Sequence, residues 1–251
     1  MKPAFFKDFS PKRGLQRVVY RASRLACLVI SKAMFGLRIE GQEHIPETGA
    51  AIVAANHLSF LDPVIIGVAI RRPLHFMAKE ELFRFRPFGW LLRAYQAFPV
   101  GRGKADLQAI KQAVSLLQGG ELVLIFPEGT RGDGKRVGPA KPGIGLVAAR
   151  SRAPVVPAFH WGTERALPRG AWVPRPHRVI LRFGPPLRFE HTEADREPGH
   201  HDVDAFSQMI MERIAALNAQ SEGGARISGD RAGATEGIAA TERDDMGGPS
   251  T

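Results

Sequence analysis

Apolar residues in this chain recur at two periods. On a helical wheel of about 100° per residue, Arg13, Arg17, Arg21, Arg24 and Lys32 form one stripe, and Leu15, Val18, Val19, Ala22, Leu25, Ala26, Val29, Ile30 and Ala33 lie opposite. That spacing predicts an amphipathic basic helix. From Ala50 onward short apolar runs alternate with helical stretches, the pattern of a layered α/β domain. Strands are expected at 51–55, 74–78, 97–100, 122–126, 155–160 and 179–183, and helices at 63–70, 106–117, 144–150 and 203–217. Asp62 is a favourable N-cap ahead of Pro63, which suits the first helical position, and Gly119-Gly120 stops the helix before it. Past Gln220 the chain turns to Gly, Ala, Ser, Asp and Glu with few large apolar residues, so it cannot offset its ordering entropy. Three parts result: 1–37, 38–220 and a tail, 221–251, expected to be disordered.

Charge sharpens the first part. The whole chain is +10 over 251 residues, and residues 1–39 carry nine lysines and arginines against Asp8 alone. Such a balance suits a polyanion: nucleic acid, anionic lipid or a phosphorylated substrate. The apolar stretch beginning at Leu25 is broken by Lys32, short of the roughly 20 residues that a spanning helix needs, and no cleavable signal is expected. The helix either lies in an anionic membrane interface or covers the core with a solvated basic face. Cys27 is the only cysteine, which excludes an internal disulfide and multi-cysteine metal sites and favours a reducing, cytosol-facing location.

The chemistry concentrates in two segments. In Asn56-His57-Leu58-Ser59-Phe60-Leu61-Asp62 a histidine precedes an aspartate by five positions, where a strand gives way to a helix. An imidazole is the side chain best able to take a proton from an alcohol near neutrality, and a carboxylate on its second nitrogen fixes the tautomer and stabilises the imidazolium. With that pair, the attacking hydroxyl can belong to the substrate. The bland alternative makes His57 a strand-end polar residue and Asp62 a helix cap. In Phe126-Pro127-Glu128-Gly129-Thr130-Arg131 an apolar strand runs into a loop, where open α/β sheets bind ligands. Glu128 suits a polyol hydroxyl, Gly129 a close backbone approach, and Arg131 a phosphate. The bland alternative is an ordinary turn.

Asn-His-x-Ser-x-x-Asp followed by Phe-Pro-Glu-Gly-Thr-Arg resembles the glycerolipid acyltransferase family, of the 1-acylglycerol-3-phosphate O-acyltransferase type. Phe98-Pro99-Val100-Gly101-Arg102 is similar to a further block, with Gly101 where the family commonly has Asp. Met77-Ala78-Lys79-Glu80-Glu81-Leu82 and Ala153-Pro154-Val155-Val156-Pro157-Ala158 also match. The resemblance implies a mixed sheet flanked by helices, glycerol-3-phosphate acyltransferase-like, in 38–220, with 1–37 as a membrane-association segment. It implies acyl transfer from a thioester, acyl-CoA or acyl carrier protein, to the free hydroxyl of lysophosphatidate, giving phosphatidic acid for phospholipid biosynthesis. His57 and Asp62 would be catalytic, and Glu128, Gly129, Thr130, Arg131, Arg102, Lys79, Asn56 and Ser59 would bind substrate. Arg13, Arg17, Arg21 and Arg24 would hold the protein, peripheral or monotopic, on the cytoplasmic face of an anionic membrane. Glycerol-3-phosphate or another lysolipid as acceptor, or a non-catalytic membrane-binding module, remain alternatives.

No cofactor is expected, and no metal: His160 and the other histidines lack a ligand spacing. Phe83, Phe85, Phe88 and Trp90, interleaved with Arg84 and Arg86, read as core or interface packing and not as a nucleic-acid platform.

Overall fold

A computed structural model describes residues 14–84, 89, 92, 93, 95–100, 105–134, 137–141, 143–190 and 200–219. The expected tail, Arg13, Arg102, Phe85, Phe88 and Trp90 lie outside them. Helix α1 (Gly14–Phe35) leads into β1 (Arg38–Glu40), β2 (Ala51–Ala55), α2 (Asp62–Ala69), β3 (Leu74–Lys79) and β4 (Ala97–Val100). Then follow α3 (Ala105–Gln118), β5 (Leu122–Ile125), α4 (Gly143–Ser151), β6 (Val155–Trp161), the short α5 (Thr163–Ala166), β7 (Ile180–Phe183) and α6 (His200–Ala219). The strand β1 and helix α5 were not expected; each is too short to show a period of its own.

The seven strands form one sheet in the order β1-β7-β6-β2-β5-β3-β4. Strands β6, β2, β5, β3 and β4 are mutually parallel; β7 runs antiparallel to β6, and β1 parallel to β7. Both faces are covered, which is why the central strands read as continuous apolar runs. All five residues of β2 are buried. Ala51, Val53 and Ala55 face a core shared with Ile65, Ile66 and Ile70 of the α2 segment, whereas Ile52 and Ala54 face Leu117, Ile144, Ile210 and Ile214 of α3, α4 and α6. Full burial of each Val or Ile contributes roughly 1.5–3 kcal/mol.

Five parallel strands therefore bring their carboxyl ends to one edge. Helices α4 and α6 pack closely beneath it because Gly145 has no side chain: a Cβ there would sit 2.2 Å from the Val203 carbonyl oxygen of α6. Instead the Gly145 amide donates to Ser207 Oγ at 3.1 Å.

Of the two placements open for helix α1, the core-covering one with a solvated basic face does not occur: the apolar stripe faces outward. Tyr20, Ser23, Arg24, Cys27, Leu28, Ser31, Met34 and Phe35 turn inward, while Val18, Leu25, Val29 and Ile30 are each more than half exposed. Along that face α1 packs against α2. Arg24 supplies a polar reason for the same orientation: its Nη1 donates to Val68 O at 2.8 Å and Ile70 O at 3.2 Å, carbonyls at the end of α2 with no helical partner, at the negative end of that helix.

Candidate active site

The His57 loop leaves the carboxyl end of β2 and returns into α2. Its shape is dictated by one oxygen. Asp62 Oδ2 accepts the Leu58 amide at 2.6 Å, the Ser59 amide at 2.8 Å and the His57 ring at Nδ1, 2.8 Å away. Asp62 was expected as the N-cap of α2; Leu61 holds that place, and Asp62 is the first helical residue. From there its carboxylate turns back into the loop, which brings base and orienter together across five positions. Because a carboxylate only accepts, Nδ1 carries a proton toward Asp62, and Nε2 is the ring nitrogen outside that bond.

Asp62 is 0% exposed, while the His57 side chain keeps 19% of its surface, so part of the imidazole reaches solvent and the carboxylate does not. The Asp62 carboxyl lies below its ordinary range. Burial, the largest influence, pushes it up, but His160, His57 and the Ser59 amide together pull it further down. The ionised form is therefore the resident one, in position to stabilise an imidazolium.

His160 is the partner that local sequence reading missed. It sits on β6 beside β2, fully buried, with Nε2 2.7 Å from Asn56 O and 3.5 Å from Asp62 Oδ2. A carbonyl only accepts, so Nε2 donates, and Nδ1 faces the Thr163 hydroxyl at 3.3 Å. His160 thus holds the backbone on which His57 is mounted and adds a dipole beside Asp62. A fully buried histidine with two hydrogen-bond partners is a positioning residue; the only local hint was its place at the end of an apolar strand.

The second segment closes over the first. Glu128 Oε1 accepts the His57 amide at 3.2 Å, and the Gly132 amide donates to His57 O at 2.7 Å, so the backbone of His57 is gripped on both sides. Glu128 also accepts the Gly138 amide; burial nonetheless raises its carboxyl above the ordinary value, outweighing both amides and the nearby imidazoles. The Phe126 ring stacks on His57 with centroids 4.1 Å apart and planes 18° apart, fixing the imidazole laterally. Gly129 adopts φ +66°, a left-handed conformation open to glycine at little cost, and a Cβ there would meet the Lys141 side chain at 2.7 Å. Gly129 and Thr130 are exposed, and Arg131 lies with its guanidinium 4.0 Å above the Phe60 ring. That stacking holds the planar fork in place while leaving its donors to an anion.

Two expected substrate contacts make bonds within the fold. Asn56 bonds to the backbone of His160 with both amide atoms, Nδ2 to O and Oδ1 from N, each at 2.9 Å, extending the β2–β6 ladder by a side chain. Ser59 is fully buried, its hydroxyl donating to Leu167 O at 2.9 Å and accepting from the Leu61 amide at 3.3 Å. Both side chains are engaged by the scaffold. Lys79 ends β3, two strands from β2 on the same sheet edge, with an exposed side chain.

Among the four arginines assigned to a membrane, Arg21 is exposed, Arg24 is spent on α2, and the side chains of Arg13 and Arg17 are not described. No helix among the described residues is long and apolar enough to cross a membrane.

Known proteins resemble this chain in sequence and in fold. The family described as Acyltransferase matches residues 36–161, half of the chain, and that span contains His57, Asp62, Glu128, Arg131 and His160. The 1-acyl-sn-glycerol-3-phosphate acyltransferase of Bacillus subtilis is 31% identical over 203 residues, 79% of this chain and 96% of that protein. The protein of the same name from Pseudomonas aeruginosa is 28% identical over 191 residues, covering 74% of this chain and 73% of its own. The crystal structure of the 1-acyl-sn-glycerophosphate (LPA) acyltransferase PlsC from Thermotoga maritima superposes with a TM-score of 0.63 at 23% identity, over 80% of this chain and 81% of that one, so the fold is shared. With a matched span of half its length that contains the His57–Asp62 pair, the chain belongs to the acyltransferase family and is an acyltransferase.

Proposed function

We propose that the protein transfers a fatty acyl group from a thioester to the free hydroxyl of 1-acylglycerol-3-phosphate, forming phosphatidic acid for phospholipid biosynthesis. The observation that carries this reading is the Asp62–His57 pair, with Nε2 outside its hydrogen bond, beside a loop that presents Arg131. Ser59, the hydroxyl closest to His57 in sequence, is buried and donates to Leu167 O, so it is not the nucleophile. The acceptor brings its own hydroxyl. His57 Nε2 removes that proton as the oxygen attacks the thioester carbonyl, and Asp62 stabilises the imidazolium formed. The imidazolium then returns the proton to the departing thiolate.

Arg131 holds the acceptor's phosphate, with Lys79 at the end of β3 and Arg102 as further cations. The names of the Bacillus and Pseudomonas relatives support lysophosphatidate as the acceptor. The thioester is acyl-CoA or an acyl carrier protein conjugate, and the reaction needs no further cofactor. The outward apolar stripe of α1, edged by Arg21 and Lys32, supports residence at the cytoplasmic face of an anionic membrane.

Thiol release from acyl-CoA in the presence of lysophosphatidate, glycerol-3-phosphate and other lysolipids tests the reading. Turnover should be fastest with lysophosphatidate and absent in folded His57→Ala, while that variant still sediments with vesicles. A His57→Ala enzyme with near-parental rate would overturn the base assignment.

A further inference from the structure

The segment between α5 and β7 carries the most exposed large hydrophobic side chains of the described residues: Trp172 is 94% and Val173 77% exposed. We infer that this loop is a second contact with an anionic lipid surface, separate from α1 and bonded directly to the active-site loops. The inference rests on reading the site as one that acts on lipids.

An indole so fully in water is unusual for a residue that is buried on average, and its apolar body with one N–H suits the headgroup level of a bilayer. The tip is held out by its own base and does not fold back. Arg175 donates its amide to Ala166 O at 2.8 Å and its Nε to Arg165 O at 2.9 Å, and Ala171 donates to Pro168 O at 3.1 Å. Pro168, Pro174 and Pro176 further reduce the freedom of the chain. Around the tip stand exposed Arg169, Arg175 and Arg178, and no acidic residue occurs between Arg165 and Val179. Apolar tip plus one-signed rim is complementary to an anionic bilayer.

Position gives this surface its meaning. At one end Leu167 O takes the Ser59 hydroxyl, and Arg169 donates to the carbonyls of Arg131 and Gly132, so the loop touches both active-site segments. At the other end the Val179 amide donates to Phe35 O at 2.9 Å, and Pro176, His177 and Arg178 share a depression with Met34, Phe35 and Gly36 of the α1 terminus. The loop therefore runs from the outward-apolar helix to the phosphate-facing arginine. A tip seated among headgroups holds Arg131 where a lysolipid's phosphate lies.

The test uses the full chain with sucrose-loaded vesicles of phosphatidylcholine and phosphatidylglycerol in equal parts, comparing the parent with Trp172→Ser/Val173→Ser. Vesicle partition should fall about tenfold or more in the variant. Lipids brominated in the acyl chain should quench a tryptophan component in the parent that the variant lacks. Turnover on short-chain, water-soluble substrates should be unchanged, since neither residue belongs to the catalytic machinery. Equal partition of the two proteins, or identical quenching, would overturn the lipid contact. So would intact vesicle binding with activity lost only when acyl carrier protein is the donor, which would make the tip a protein contact. Failure of the acyltransferase reading shows separately, as a parent without turnover on the soluble substrates.

Discussion

Replacing Asp62 by Asn isolates the electrostatic half of the dyad. Three donors converge on Oδ2, while Oδ1 is buried without a hydrogen-bond partner. An asparagine oxygen at the Oδ2 position still accepts the Leu58 and Ser59 amides, so the loop keeps its path, but its amide nitrogen then occupies the orphan Oδ1 place. That buried donor costs about 1–3 kcal/mol of stability. The reversed rotamer points N–H groups at three donors and is worse.

Catalysis loses more. An imidazolium and a carboxylate about 4 Å apart between charge centres, in an effective dielectric of about 20, attract by about 4 kcal/mol. That attraction exists only once His57 has taken the proton, so it lowers the barrier and not the ground state. At 1.36 kcal/mol per tenfold, kcat should drop about 10³-fold with KM nearly unchanged. Thiol release under saturating lysophosphatidate measures kcat, and urea unfolding confirms the fold. An enzyme that unfolds cooperatively and keeps kcat within about tenfold of the parent would refute Asp62 as the stabiliser of the imidazolium.

Other outcomes follow from the same contacts. His160→Phe leaves Asn56 O buried without its donor, so stability should fall by about 1–3 kcal/mol, with a loss in kcat that His160→Gln partly restores. Calorimetry and thiol release read the two effects. Acid behaviour has a definite sign: Asp62 is depressed in the folded state, so its contribution is complete above the unfolded carboxyl value, 3.8, and is lost as pH falls through the lower folded value. The stability gap between parent and Asp62→Asn in urea should shrink as pH falls from 3.8 toward the lower folded value. Arg24→Met removes the donor to Val68 O and Ile70 O and should loosen α1 from α2, seen as faster amide exchange in α1 without loss of the sheet.

Much of the fold was legible because its elements are written locally. The wholly apolar β2 and β5, Pro63 at the start of α2, and the helical spacing of Leu107, Ile110, Val114 and Leu117 in α3 each state their structure within a few residues. The His57–Asp62 pair was legible for the same reason. The rest depended on neighbours far along the chain. Which face of α1 turns inward is decided by α2, where Arg24 finds carbonyls 44 and 46 positions away. Asn56 and Ser59 look like site residues because they flank His57, yet their partners lie 104 and 108 positions on. His160 offers no spacing to read, since its role exists only once β6 lies beside β2.

The double grip on the His57 backbone has a consequence for how this enzyme can change. The His57 amide leans on Glu128 and the His57 carbonyl on the Gly132 amide, so 56–62 and 126–132 behave as one cooperative unit, and substitutions across them should be non-additive by about 0.5–3 kcal/mol. In terms of inheritance, the two segments are exchangeable only as a pair. A chimera taking one of them from a divergent relative carries a mismatched clamp and fails although both parents are active; taking both restores it.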